Sequence, residues 1–344
     1  MKILIAGDLQ IYGNLGSTRY DITVKTLNWL KDLLLNTSPD MFVHMGDFGE
    51  ENASVSIPCL TLMTDFIHIA ETFSDKCYWL VGNHDYATNT GDYNLMSALA
   101  SMMSDCSFVC WPRLMNEPYG FLSYLRSHDK ARTHILEMKP YINMLFTHHP
   151  IKGSLIREGY YDDHGLDPNE LPSLTFVGHY HRPDIVKIED KTIIYTGSPM
   201  CFDYRDDLLG KGNQKRGVWL WDTDSSSNGI QFIENPHTEY YCTVTCNTLS
   251  EYEEFLSKIQ VPITSLHVRL FTHKDLIPSF RQQHPFKSIK LYNSEIKRSK
   301  VSDNRVNIKL DVQPSTAVET YVSNVDTKSL DKSILIEKGR SLLQ

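Results

Sequence analysis

The sequence predicts an α/β protein: a two-sheet sandwich flanked by helices, with a small C-terminal α+β capping domain and terminal helices. Three observations predict it. Five short apolar runs, Lys2 to Ala6, Met41 to Met45, Cys77 to Val81, Ile142 to Phe146 and Leu174 to Val177, have the length and the β-branched or aromatic content of buried parallel strands. Helical patterns over Tyr20 to Leu35 and Pro58 to Phe73 separate the first three runs, as in a βαβαβ unit. Beyond Leu114 the runs become shorter and turn residues more frequent, which predicts a second sheet packed on the first.

Taken in order, the second sheet is expected from Phe121 to Leu125, His134 to Met138, Ile185 to Ile188, Ile193 to Thr196, Val218 to Asp222 and Ile230 to Ile233. Ser225 to Gly229 is a plain turn, and no internal repeat interrupts the pattern. At Asn235-Pro236-His237 the character changes to a strand (Tyr240 to Cys246), a helix (Ser250 to Lys258) and a strand (Ser265 to Leu270). The expected division is residues 1–235, a capping domain over 236–312, and a helical segment over 313–344. In that last segment Thr316 and Glu319 form a capping box ahead of Val318 and Val322, and Leu330, Ile334, Leu342 and Leu343 give a second helix an apolar side. Such a pair of helices either folds onto its own cap or serves as a docking handle for a partner.

Composition fits an intracellular enzyme. A chain of 344 residues, 41% hydrophobic and 22% charged, can bury a substantial core. No apolar stretch reaches membrane-spanning length, and Met1 to Leu4 lead straight into a strand rather than a cleaved leader. The seven cysteines are odd in number, scattered and without a Cys-x-x-Cys pair, which predicts reduced core thiols in a cytoplasmic protein, or host cytoplasm for a phage-encoded chain. A net charge of -8 argues against nucleic-acid binding by overall attraction. Locally, Arg281, Lys287, Lys290, Lys297, Arg298, Lys300 and Arg305 outnumber Glu295 and Asp303, giving either a solvated face or a phosphate groove.

The chemistry lies where the five runs stop. Asp8 closes the first, and Gly46-Asp47, Gly82-Asn83-His84-Asp85, Thr147-His148-His149-Pro150 and Gly178-His179-Tyr180-His181 follow the others. A single Gly-Asp is usually a turn, and a single loop histidine is usually solvated. An ordered set of carboxylate, amide and imidazole groups, each behind a strand, instead points to one site assembled at the carboxyl edge of the strands, holding two metal ions.

On these residues the chain resembles the calcineurin-like metallophosphoesterases, and within them the SbcD-type nucleases of double-strand-break repair, most closely the phage recombination endonuclease subunits. Asp163-His164-Gly165-Leu166, Tyr195-Thr196-Gly197-Ser198-Pro199 and Lys215-Arg216-Gly217-Val218-Trp219 extend the likeness, which is firm to about residue 235 and looser beyond. The resemblance implies that Asp8, Asp47 and His181 hold a first metal with Gln10 as fourth ligand. Asp47 then bridges to a second metal held by Asn83, His148 and His179. His148 follows its strand directly and stands two residues before Pro150, as the family pattern requires; His149 is the alternative. The resemblance gives His84 transition-state stabilisation and protonation of the leaving alkoxide, with a structural histidine as the competing reading, and has Asp85 orient it or brace the loop. Lys215 and Arg216, with Lys211, are expected to bind substrate near the active edge.

Hard oxygen donors with imidazoles suit two divalent ions, manganese first and magnesium second. Such a pair, about 3.5 to 4 Å apart, activates a bridging water and clamps attacking and leaving oxygens. Four positive charges against the two of Asp8 and Asp47 would draw phosphate to an acidic protein. One position departs from the pattern: Asp-x-His is Asp8-Leu9-Gln10 here, and an amide is a weaker, neutral donor than imidazole. Glu50, three residues past Asp47, keeps a polar group nearby. The family further implies DNA as substrate, held in part by the 236–312 capping domain, an SbcC-type coiled-coil ATPase as partner, a homodimer, no membrane, and exonuclease and endonuclease activity in recombination, repair or replication. The rival readings are a small-substrate phosphodiesterase or phosphatase, and a DNA-end-binding scaffold with a weakened first metal site.

Overall fold

The computed structural model describes residues 1–50, 54–88, 93–103, 107–109, 112–114, 118–157, 160–204, 206, 215–225, 229–282, 284–294, 322 and 331–341. The chain opens with β1 (Lys2–Ala6), α1 (Thr18–Thr37), β2 (Met41–His44), α2 (Ile57–Phe73), β3 (Lys76–Leu80), α3 (Leu95–Met102) and β4 (Ser107–Val109). Both long helices begin at a serine cap: Ser17 accepts from the Tyr20 amide at 3.2 Å, and Ser56 precedes a first turn that contains Pro58. Next come β5 (Arg113–Leu114), β6 (Tyr119–Leu122), α4 (His128–Met138), β7 (Met144–Thr147), β8 (Leu155–Arg157), β9 (Tyr160–Tyr161), β10 (Leu174–Val177), β11 (Asp184–Ile188) and β12 (Lys191–Tyr195). Strands β13 (Gly217–Asp222) and β14 (Ile230–Glu234) precede the last unit, β15 (Tyr240–Thr245), α5 (Leu249–Ser257), β16 (Leu266–Thr272), α6 (Ile277–Gln282) and β17 (Ser288–Asn293).

Two six-stranded sheets form the body. The first runs β14-β13-β1-β2-β3-β4, with β1 to β4 parallel; the second runs β11-β12-β10-β7-β6-β5, with the four central strands parallel. Strict alternation sends Ile3, Ile5, Met41, Val43, Tyr78 and Leu80 inward against Tyr119, Phe121, Met144, Phe146 and Phe176 of the other sheet. Leu4, Phe42 and Trp79 point the other way, under α1 and α2. Each such side chain stabilises the fold by roughly 1.5–3 kcal/mol. The capping sheet, β15-β16-β17, is wholly parallel and buries one face against Tyr252, Phe255 and Phe280 of its two helices.

Two expectations are corrected. His134 to Met138 is not a strand but the end of α4, because Ser127 caps it and Ala131, Ile135 and Met138 recur at helical spacing on its buried side. Val218 to Asp222 and Ile230 to Ile233 do not join the second sheet; β13 returns to pair antiparallel with β1, and β14 with β13. The five ligand-bearing loops therefore leave two facing sheets, β1, β2 and β3 in one and β7 and β10 in the other. The predicted capping box at Thr316 and Glu319, with Val318, Leu330, Leu342 and Leu343, lies outside the described residues; a helix does occupy Lys332–Ser341. Among the described residues no helix is long and apolar enough to cross a membrane. Cys59, Cys77, Cys201, Cys242 and Cys246 are buried free thiols.

Candidate metal centre

The loops after β1 and β2 run side by side, with the amides of Gln10 and Ile11 each donating at 2.8 Å to the carbonyls of Asp47 and Phe48. The Tyr124 amide donates to Val81 at 2.8 Å and the Val81 amide to Ser123 Oγ at 2.9 Å, which ties the end of β3 in the first sheet to the end of β6 in the second. Six non-glycine residues of the described chain adopt positive φ, and the four at this junction are predicted ligands: Asp8 (39°), Gln10 (40°), Asp47 (53°) and His179 (72°). A left-handed non-glycine residue costs on the order of 1–3 kcal/mol, so the surrounding packing holds strain at this one place.

Four of the predicted ligands close on one another. Asn83 Oδ1 lies 2.7 Å from His179 Nδ1 and 3.2 Å from His148 Nε2, and Asp47 Oδ2 lies 3.3 Å from the same His148 nitrogen. Ligand atoms of Asp47, His148 and His179 all fall within 4.8 Å of each other. His148 Nδ1 sits 2.7 Å from the Met45 carbonyl, which can only accept, so Nδ1 carries a proton and Nε2 faces two oxygens. That arrangement calls for a positive charge in the middle. Burial opposes a charge on His148, but Asp47 outweighs it and pushes the imidazole up to about 9; Asp47 in turn is held well below the usual carboxylate range although its own burial works against ionisation.

The neighbouring group is looser. Asp8 Oδ1 accepts the His179 amide at 3.1 Å while Oδ2 is buried without a partner, and burial with the nearby Asp47 pushes its carboxyl up to about 7. Ser198 Oγ donates to the Asp8 carbonyl at 2.9 Å, which explains the Thr-Gly-Ser-Pro motif. His181 Nδ1 donates to Asp206 Oδ1 at 3.1 Å, leaving Nε2 facing the Gln10 amide at 3.4 Å. Gln10 is 2% exposed and can turn its amide to present Oε1 instead, since the two orientations have the same shape. Among the described residues Asp8, Asp47 and His181 do not gather within 4.8 Å, as the other group does. Orphaned carboxylate oxygen, free imine nitrogens and an amide oxygen are nonetheless the donors a hard divalent ion takes, so the residues fit the implied metals.

The remaining expectations sort differently. His84 stands at the rim, its amide donating to Asp47 Oδ1 at 2.8 Å and Nδ1 lying 3.1 Å from the Glu50 carbonyl, which fixes the proton on Nδ1. Asp85 does not orient His84: it is buried and accepts the amides of Phe48, Gly49 and Gly82 at 3.0, 3.1 and 2.8 Å, so it braces two loops and is not a catalytic residue. His149 points away, accepting the Leu125 amide at 2.7 Å and stacking on Tyr124. Arg216, expected on an open substrate-binding edge, is 2% exposed and lies 3.9 Å from Asp206, where it supports the partner of His181. Lys215 is exposed, but Glu234 engages its ammonium. Lys211 lies outside the described residues, as do Lys297, Arg298, Lys300 and Arg305 of the basic run.

Sequence reasoning missed Arg19, Asp206 and His44. Arg19 donates to the Gln10 carbonyl at 2.8 Å, lies 3.9 Å from Glu50 and covers the Phe202 ring at 4.0 Å; no local motif signals it. His44 is buried behind the site, stacked on Trp79, and burial followed by the His148 charge lowers it to about 3. Its unfolded value is about 6.5. A depressed histidine stabilises fully above the unfolded value, and this contribution is lost as pH falls toward the folded one. Between pH 7.5 and pH 5 His44 should therefore remove about 2 kcal/mol of stability. Urea midpoints at both pH values should show a drop smaller by about that amount in His44→Phe; an equal drop would refute the assignment.

Residues 1–200 match the family model described as calcineurin-like phosphoesterase. No curated protein matches the chain. Solved structures that it resembles include GAP50, the anchor in the inner membrane complex of Plasmodium, at 11% identity and TM-score 0.41 over 76% of this chain and 95% of that one. A dimetal phosphatase from Danio rerio is 11% identical at TM-score 0.37, covering 64% of this chain and 91% of that one. The phosphopantetheinyl hydrolase from Mycobacterium tuberculosis is 11% identical at TM-score 0.37, over 68% and 96%. Likenesses this distant say nothing of activity.

Proposed function

The chain belongs to the calcineurin-like phosphoesterase family, a superfamily of metal-dependent phosphoester hydrolases, and on that premise we propose that it is a manganese-dependent DNA nuclease subunit working with an SbcC-type ATPase. The observation that carries the hydrolytic part is the convergence of Asp47, Asn83, His148 and His179 beside His84. Asp47, Asn83, His148 and His179 would hold one divalent ion, and Asp8, Gln10, Asp47 and His181 the other. When bound, such ions lower the pKa of a water and offset charge on the phosphoryl oxygens.

The chain's own residues do the rest. The Glu50 carbonyl keeps a proton on His84 Nδ1, so Nε2 is the atom that exchanges a proton with the leaving oxygen. Asp47 holds the His84 backbone and Asp85 holds the loop beneath it, which fixes the ring relative to the ligands. Asp206 and Arg216 set the tautomer and orientation of His181.

DNA as substrate is supported by the SbcD-type motifs and by a capping sheet that a small-ester phosphatase does not need. The helix Lys332–Ser341, with Ile334 59% exposed, is the segment offered to the ATPase, and dimerisation is proposed through helices of the phosphoesterase domain. Gln10 favours a second reading, a DNA-end-binding scaffold. Purified chain with manganese, tested on labelled DNA ends and on an aryl phosphodiester with and without the ATPase, decides between them. The nuclease reading expects DNA cleavage that His84→Ala abolishes. Cleavage appearing only in Gln10→His supports the scaffold, and ester turnover with DNA untouched overturns both.

A further inference from the structure

We infer that Arg19 is a positioning residue of the metal centre: its buried guanidinium fixes the Gln10 backbone, packs on the Phe202 ring that faces His181, and anchors Glu50, whose carbonyl orients His84. The inference rests on the two-ion hydrolase reading above and adds to it a residue that acts only through others.

Three contacts converge on this side chain. Nη2 donates to the Gln10 carbonyl at 2.8 Å. The guanidinium carbon lies 4.0 Å from the centre of the Phe202 ring, which meets His181 edge-on at 4.6 Å while the Phe202 amide donates to Asp206 Oδ2 at 2.7 Å. Nη2 also lies 3.9 Å from Glu50 Oε2, and the carbonyl of the same Glu50 faces His84 Nδ1 at 3.1 Å. Gln10, His181 and His84 follow β1, β10 and β3, strands of both sheets, so no single turn sets them relative to one another.

Stability does not account for an arginine here. It stands two residues past the Ser17 cap, in the first turn of α1, where a cation opposes the helix dipole. Its Nε is buried without a partner, as is Glu50 Oε2, and 3.9 Å between the two charges is too long for a hydrogen bond. Burial lowers the guanidinium to about 10, with Glu50 and then Asp206 holding it up, so it stays charged at neutral pH. Stacking on Phe202 offsets part of that cost. A side chain of this length at a helix start could instead reach water; turned inward, it gains a hold on the Gln10 backbone, which is kept at φ 40°, a conformation glutamine rarely adopts.

That hold matters most in this sequence. Gln10 stands where the pattern has histidine, and its amide sits on a longer, more flexible side chain. Pinning its carbonyl removes the backbone share of that freedom, so only side-chain rotation is left to place Oε1. Loss of Arg19 should therefore disturb the Gln10 group and His84 together, and leave Asn83, His148 and His179 in place.

Manganese titration calorimetry on the full chain, with melting curves and turnover of an aryl phosphodiester and of DNA ends, tests the inference. Arg19→Met keeps an apolar stem on Phe202 and removes the hydrogen bond and the charge. It should weaken the weaker of two manganese ions by about tenfold or more and leave the stronger within about twofold, since loss of such a partner costs about 10–100-fold in metal affinity or activity. The rate at saturating manganese should also fall about tenfold with KM kept, because His84 loses its brace. Arg19→Lys, which keeps a donor and a charge but not the planar fork, should fall between, and carries the test if the methionine variant does not fold. Both ions bound as in wild type, with turnover unchanged, overturn this inference alone. The split in affinity, in a chain that turns over the ester and leaves DNA untouched, supports it and overturns the nuclease reading. A wild type that takes up one ion or none overturns the two-ion reading and this inference with it.

Discussion

Asp47→Asn should abolish phosphodiester hydrolysis while leaving the protein folded. The substitution keeps the shape of a fully buried side chain, and asparagine is among the few residues that tolerate the left-handed backbone found here, at φ 53°. What it removes is the negative charge that, on the proposed ligand scheme, both metal groups would share. Asp47 Oδ2 faces His148 Nε2 at 3.3 Å and is the principal reason that nitrogen attracts positive charge. Its other oxygen holds the His84 amide at 2.8 Å, so an amide nitrogen turned that way would also release the loop that carries His84. Losing a hydrogen-bond partner one layer out typically costs 10–100-fold in metal affinity or activity, and loss of a shared inner carboxylate should exceed about 100-fold. Manganese titration should show weaker uptake alongside the lost turnover, with an unchanged melting profile. Activity within tenfold of wild type would mean the bridging role is misplaced.

The parts of this site that were legible in the sequence are those where chemistry and strand periodicity coincide. β1 and β10 have the bounds their apolar runs predict, because each is buried on both faces and ends where Asp8 or Gly178 breaks the pattern. His148 rather than His149 reaches Asn83 because alternation at the end of β7 sends adjacent side chains to different surroundings. What was not legible depends on distance along the chain. The return of β13 to β1 joins Trp219 to Ile5, more than two hundred positions apart, and no local period encodes it. Arg19 and Asp206 act through contacts of a helix start and a loop and look like ordinary surface charges in sequence, whereas Arg216 was singled out for substrate but turns inward toward Asp206. For Asp85 two roles stayed open in the sequence, orienting His84 or bracing the loop, because the choice depends on partners far along the chain: its carboxylate accepts three backbone amides of loops from different strands, which is the brace.

Gly82→Ala should be among the most damaging single-methyl changes in the protein. A Cβ at Gly82 would run into both the Asp47 amide nitrogen and Asp47 Oδ1, with Cγ at 2.8 Å, so the obstruction is backbone as well as side chain. The approach is close from both loops, since a Cβ added at Gly46 would in turn lie 2.9 Å from the Gly82 backbone. The Gly82 amide is also fixed, donating to Asp85 Oδ2 at 2.8 Å, so moving the loop after β3 breaks the brace that joins it to the loop after β2. Overpacking of this kind costs about 3 kcal/mol or more, against roughly 0.5 for an ordinary exposed position. Gly16→Ala is the proper comparison: its φ of +79° imposes backbone strain on any side chain, yet nothing lies within 4 Å of the added methyl. Chemical denaturation should therefore separate the two variants by about 2 kcal/mol, with Gly82→Ala also losing manganese binding because Asp47 must move. Equal destabilisation would show that the two loops can part, and with them the Asp47 carboxylate from His148 and His179.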